Sequence, residues 1–206
     1  MKILLVDDHI VVREGVRRLL AGIGGVGSVE LIEAEEGSEA LELFRTGQPD
    51  IVLLDLNLSG IGGLELLRRL LAINEKARII VFSMHAEPIY AARALRLGAR
   101  GYVSKSAGAE ELVTAVKRVA ENGRYVEVDI ASELAFSQLT TDDPLQQLTA
   151  RELEILRLLG DGNSLTEIAK ATSVAYKTVA NSCSIIKSKL GVERTADLIR
   201  VAIEMR

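Results

Sequence analysis

Cysteine is almost absent from this chain of 206 residues: Cys183 stands alone. That excludes an internal disulfide and any zinc site built on spaced cysteines. No apolar stretch comes near the roughly 18 residues that a membrane span needs. The N-terminus, MKILLVDDHI, turns acidic too soon for a secretory signal. Together these absences predict a cytoplasmic protein that is not membrane-bound. Internal repeats are also missing. So are basic residues over one stretch: 127–147 holds none, against the five acids Glu127, Asp129, Glu133, Asp142 and Asp143.

What is present suits a globular chain. Hydrophobic residues make up 48% and charged residues 26%, enough to build real cores and a solvated surface. The net charge of −4 is unevenly spread. Residues 1–126 carry 16 basic and 17 acidic side chains, a balance of −1, whereas 148–206 carry nine and seven, a balance of +2. An acidic connector between two differently charged segments predicts two domains, the mildly basic one last.

The first 122 residues alternate between two textures. Aliphatic runs occur at KILLV (2–6), VELIEA (29–34), IVLLDL (51–56), RIIVF (78–82) and GYV (101–103). Between them, apolar residues recur at helical spacing: Val12, Val16, Leu19 and Leu20; Ala40, Leu41 and Phe44; Leu64, Leu67, Leu70 and Leu71; Ala91, Leu95 and Leu97; Leu112, Val116 and Val119. Five strands alternating with five helices predict a doubly wound five-stranded parallel sheet covered on both faces. The mixed run VELIEA belongs near an edge. Residues 123–147 read as a linker, with a short helix around Ile130 to Phe136. From 148 to the end the texture is helical only, as expected of a small all-α four-helix domain. Thr149–Glu152 and Ser164–Glu167 form capping boxes, with Leu148 and Leu153 placed as a hydrophobic staple. Gly191 ends the third helix.

Strands of an open parallel sheet point their C-terminal ends at one edge, where ligands bind. The strand ends read Asp7-Asp8, Asp55, Ser83 and Lys105. Any one of these is commonplace: an acid at a strand end usually caps a helix or makes a turn. The full set has a chemical logic. Clustered carboxylates repel unless a cation sits among them, and Mg²⁺ takes a few carboxylate oxygens with waters. A carboxylate so neutralised can accept a phosphoryl group, and an ammonium and a hydroxyl can then meet the phosphoryl oxygens.

Residues 1–122, with Asp7-Asp8, Asp55, Ser83 and Lys105 in order, resemble bacterial two-component receiver domains, which have a flavodoxin-like fold. FSMHAEPIYAARALRLGARGYVSK and LTARELEILRLLGDGNSLTEIAKA resemble the NarL/FixJ branch of response regulators. The resemblance implies that Asp55 takes a phosphoryl group from a sensor histidine kinase. It implies that Asp8, Asp55 and the backbone carbonyl of Asn57 hold Mg²⁺, with Asp7 acting through water. Ser83 and Tyr102 would form the switch pair, the ring swinging inward, and Lys105 would pair with the phosphoryl group. Without the resemblance, Tyr102 is equally a plain strand aromatic, and His9 reads as a helix-start residue. The chain departs from the family in the loop Leu58-Ser-Gly-Ile-Gly-Gly63, where Met-Pro-Gly-Met-Asp-Gly is usual, which predicts a more flexible loop. After Lys105, Ser106 replaces a common proline.

In the third C-terminal helix Val179, Cys183, Ile186 and Leu190 form a buried stripe, which places Cys183 in the core. Lys177, Asn181, Ser184 and Ser188 face the other way, flanked by Lys187 and Lys189. A helix with a dry back and a front of short polar residues can enter a DNA major groove, although the same pattern describes an ordinary solvated face. TEIAKATSVAYKTVANSCSIIKSKLGV resembles the LuxR-type helix-turn-helix. By that resemblance Ala180, Asn181 and Ser184 face bases, while Lys177, Thr178 and Lys187 meet phosphates. Ser182 stands where many members carry histidine. The stripe Leu198, Val201, Ala202 and Met205 on the last helix would be the dimer surface; by itself it serves equally to pack that helix on its own bundle.

The reading favoured is a DNA-binding transcriptional regulator, activated at Asp55 and not a turnover enzyme. It divides into a receiver (1–122), a linker (123–147) and a DNA-binding domain (148–206). Its expected partners are a sensor histidine kinase, double-stranded promoter DNA and, when phosphorylated, a second copy of the chain, with RNA polymerase a further candidate. Two other readings stand beside it: a Mg²⁺-dependent phosphohydrolase, and a phosphorylation-independent regulator or adaptor whose acidic site is structural.

Overall fold

The computed structural model describes residues 1–21, 29–58, 60–84, 88–139 and 144–204. They form two compact units, Met1–Ala135 and Phe136–Arg206. In the first, strands and helices alternate: β1 (Lys2–Val6), α1 (Ile10–Ala21), β2 (Glu30–Ala34), α2 (Gly37–Gly47), β3 (Ile51–Leu54), α3 (Gly63–Ile73), β4 (Ile79–Ser83), α4 (Pro88–Leu97), β5 (Gly101–Ser104), α5 (Ala109–Ala120) and β6 (Tyr125–Val126). The helix α6 (Val128–Leu139) follows, and the boundary between the units falls within it.

The strands lie in the order β2-β1-β3-β4-β5-β6 and every pair is parallel. The order reverses between β1 and β3, so the chain leaves these two neighbours in opposite directions and opens a crevice at their C-terminal ends. Successive residues point to opposite faces. Ile3, Leu5, Leu53, Ile80, Phe82 and Val103 pack with Val16 and Leu20 of α1 and Leu112, Ala115, Val116 and Val119 of α5 in one buried cluster. Each large aliphatic of that cluster contributes about 1.5–3 kcal/mol. The alternate residues Leu4, Val52, Leu54, Ile79 and Val81 are equally buried and face the other way. The edge strand β2 is only half-buried, as its mixed sequence predicts.

The structure corrects the sequence reading in two places here. The sheet has a sixth strand among the described residues, inside the segment read as linker. β6 is only two residues long, too short for any periodic signal, and it pairs Tyr125 with Gly101 and Val126 with Tyr102. Glu127 fastens it: its backbone N–H donates to the Tyr102 carbonyl (3.2 Å) and its Oε2 accepts from the Ser104 N–H (2.8 Å). The first unit therefore runs past residue 122. Secondly, α4 buries Tyr90, Ala91 and Ala94, and leaves Leu97 exposed.

The second unit is helical: a 3-10 turn (Pro144–Gln147), then α7 (Ala150–Gly160), α8 (Leu165–Ala171), α9 (Tyr176–Leu190) and α10 (Thr195–Glu204). Both capping boxes form, at Thr149/Glu152 and Ser164/Glu167, and Leu148 and Leu153 are buried at the first of them. Gly191 closes α9 in the left-handed conformation. The turn from α8 to α9 needs a left-handed residue too, and Ser173 supplies it with φ 54°. None of the described helices is long and apolar enough to cross a membrane.

Candidate functional site

Parallel pairing carries the acids to one place. The ladder continues past the strand ends, with the Asp7 N–H donating to the Ala34 carbonyl and the Asp55 N–H to the Val6 carbonyl (both 3.0 Å). Because β1 and β3 are neighbours in the sheet, Asp7, Asp8, His9 and Asp55 each bring a ligand atom within 4.8 Å of the others. Asp7 and Asp55 are buried, Asp8 half-buried and His9 exposed.

Two buried carboxylates side by side require a cation, and Lys105 provides one. Its N–H donates to the Ser83 carbonyl (2.8 Å) and extends the β4–β5 pairing. Its ammonium reaches back to 2.5 Å from Asp55 Oδ2 and 2.6 Å from Asp7 Oδ2. The other oxygens are engaged as well. Asp55 Oδ1 accepts the Asn57 N–H (3.0 Å) and Asp7 Oδ1 the His9 N–H (2.9 Å). The His9 imidazole lies 2.7 Å from Asp8 Oδ1.

Arg13 was not singled out from the sequence. Its buried guanidinium donates to the Asp7 carbonyl (2.8 Å) and to Glu33 and Glu35, fixing the acidic loop from α1. The only signal for it was a charge on an otherwise apolar helix face.

Three carboxylates this close form an all-oxygen donor set, which fits a hard divalent cation. Receiver domains bind Mg²⁺ at acidic clusters of this kind. The loop after Asp55 is held from below: the Gly63 N–H donates to the Leu56 carbonyl (3.2 Å), and a Cβ on Gly63 would meet Leu56 Cα at 2.3 Å and the Asp55 carbonyl oxygen at 2.6 Å. Of the unusual loop, Ser59 lies outside the described residues, and Gly60 takes φ +82°.

Ser83 and Tyr102 are both buried. Tyr102 is in register with Val81, and Ser83 lies two residues further along β4 on the same sheet face. The ring is therefore already inside.

On α9, Val179, Cys183 and Ile186 are buried; Lys177, Thr178, Asn181, Ser184 and Ser188 are exposed, with Ala180 and Lys187 half-buried. Burial raises the Cys183 thiol pKa, consistent with a core residue. Lys189, read as a flanking cation, is instead paired with Glu152 at 2.6 Å.

The proposed dimer stripe needs a larger correction. Leu198 and Ala202 are 0% exposed, because α10 lies against α7. A Cβ on Gly160 would come within 2.7 Å of the Ala202 carbonyl oxygen. These two residues pack their own bundle and cannot also form a surface. Val201 is half-buried, and Met205 lies outside the described residues.

Two known families match the chain, one within each compact unit. Residues 3–117 match the response regulator receiver domain, and 146–202 match the luxR family of bacterial regulatory proteins. The response regulator UvrY of Escherichia coli K12 is 36% identical over 206 residues, covering 98% of this chain and 94% of that protein. A LuxR-family two-component response regulator from Aurantimonas sp. SI85-9A1 is 41% identical over 67% of this chain and 97% of that one, with a TM-score of 0.62. RcsB of Salmonella enterica serovar Typhimurium, solved on promoter rprA with the phosphomimetic BeF3-, is 25% identical over 98% of both chains, with a TM-score of 0.71. The chain belongs to the NarL/FixJ family of two-component response regulators, with a receiver domain followed by a LuxR-type DNA-binding domain.

Proposed function

We propose that the chain is a transcriptional switch in which Asp55 accepts a phosphoryl group from a phosphohistidine of a sensor kinase. The observation that carries this is the Asp55 carboxylate itself, buried at the strand rim with Lys105 on Oδ2 and the Asn57 N–H on Oδ1. Asp8, Asp55 and the Asn57 carbonyl would hold Mg²⁺, with Asp7 acting through water, and the ion would neutralise the carboxylates and the incoming phosphoryl oxygens.

Oδ2 is the attacking atom, since Oδ1 stays with the loop amide. A bond forms from Oδ2 to phosphorus and the phosphorus–nitrogen bond of the donor breaks. Its electron pair returns to the imidazole, which takes up a proton. Lys105 leaves Oδ2 and follows the negative charge onto a phosphoryl oxygen, while the Ser83 hydroxyl donates to another. Tyr102 keeps its ring inside as Ser83 moves. The chain takes up one phosphoryl group and is not a turnover enzyme.

The modified state favours a pair of chains on duplex promoter DNA. α9 enters the major groove, with Ala180, Asn181 and Ser184 towards bases and Lys177, Thr178 and Lys187 towards phosphates. The RcsB structure on promoter DNA with a phosphomimetic supports the coupling of phosphorylation to DNA binding. Incubation with a small phosphodonor and Mg²⁺, followed by intact mass spectrometry, tests the acceptor. The wild-type chain should gain one phosphoryl group that Asp55→Asn does not. Equal labelling of both would move the acceptor elsewhere, and labelling of neither would favour a structural acidic site.

A further inference from the structure

Apart from the exposed Tyr176 in its first turn and the half-buried Ala180, the outer face of α9 is composed of short polar side chains and lysine, with one exception. Ile185 is 49% exposed. At about 100° per residue it lies some 40° round the helix from Asn181 and one turn further on. Its neighbour Ile186 already fills the core and is fully buried, so the bundle gains little from a second branched aliphatic. The adjacent Ser184 turns its hydroxyl back onto the Ala180 carbonyl (3.3 Å). The middle of the face thus presents Ala180, Asn181 and Ser184, with Ile185 the one large aliphatic beside them.

A major groove offers phosphates, polar base edges and one kind of apolar group, the C5-methyl of thymine. Only the last matches an isoleucine. We propose that Ile185 is a specificity-determining residue, reading a thymine by apolar contact with its C5-methyl. This rests on α9 being the recognition helix. Ile185 is surface-exposed, so its truncation leaves the domain folded, and it supplies no charge for general affinity.

The test uses the full-length phosphorylated chain and a duplex enriched by it from random sequence. Each thymine is replaced in turn by uracil, which differs only in lacking the methyl. Wild-type affinity should fall about fourfold at one thymine per half-site, the worth of a buried methyl group. Ile185→Ala should bind thymine and uracil duplexes equally at that position, with its wild-type loss at other positions unchanged. Uracil substitution that affects both proteins alike, or neither, overturns the proposal, as does an Ile185→Ala chain that loses affinity without regard to sequence. Failure to enrich any duplex overturns the DNA-binding reading itself, a separate outcome.

Discussion

The ammonium of Lys189 lies 2.6 Å from Oε2 and 2.9 Å from Oε1 of Glu152, which ties the last turn of α9 to the first turn of α7. The same carboxylate accepts the Thr149 N–H (2.6 Å) in the capping box. One buried acid therefore both starts α7 and seats α9.

Burial alone would raise the Glu152 carboxyl, but hydrogen bonds from Lys189 and Thr149 outweigh it and hold the group below its usual range. The sign follows. A depressed folded-state value adds stability that is fully present above about pH 4.3, the ordinary carboxyl value, and is lost as pH falls through the depressed one. Glu152→Gln keeps a side chain able to complete the box and removes the charge. Hydrogen–deuterium exchange of α7 and α9 peptides should show it destabilised by about 1–2 kcal/mol at pH 7. The difference from wild type should shrink as the pH is lowered below about 4.

Lys105 supplies the cation between Asp7 and Asp55. Lys105→Ala leaves two buried carboxylates facing each other, a loss on the order of 3 kcal/mol. Urea unfolding in the presence of a chelator should show that loss in the first unit, with partial recovery on adding Mg²⁺. Asp55→Asn removes one acid and leaves Lys105 paired with Asp7, so it should cost much less.

Gly63 and Gly15 should respond oppositely to alanine. A Cβ at Gly63 collides with the backbone of Asp55 and Leu56, while at Gly15 nothing lies within 4 Å. Gly63→Ala should lower stability by several kcal/mol, as overpacking against backbone does, and should slow phosphorylation of Asp55 by displacing the loop. Gly15→Ala, in mid-helix, should stabilise the chain by about 0.5–1 kcal/mol. Thermal unfolding distinguishes the two.

Ser173 holds φ 54° in the turn before α9, a conformation that costs an L-residue about 1–2 kcal/mol. Ser173→Gly relieves that strain but adds freedom to the unfolded chain. A net gain of about 0.5–1 kcal/mol is expected, measured as a raised midpoint for the second unit.

The clustering of Asp7, Asp8, Asp55 and Lys105 was legible in the sequence because a parallel sheet sends every strand end to one rim. Aliphatic runs locate those ends without any knowledge of side-chain contacts. Partnerships across long separations were not legible. Lys189 looked like a free flanking cation, since its partner Glu152 is 37 residues away. The stripe on α10 was correctly seen as apolar, but periodicity says that a face is covered without saying by what. Gly160 let α7 cover it. β6 escaped because two residues carry no period. Of the α4 stripe read as Ala91, Leu95 and Leu97, only Ala91 is buried, with Tyr90 and Ala94 beside it.

The central claim is that the state of Asp55 sets the affinity for DNA. It is tested most directly by the Kd for an enriched duplex, with and without a small phosphodonor and Mg²⁺, for the wild-type chain and Asp55→Asn. The account predicts that the phosphodonor tightens wild-type binding at least about fivefold and leaves Asp55→Asn unchanged. The same Kd for phosphorylated and unphosphorylated wild-type chain would contradict it.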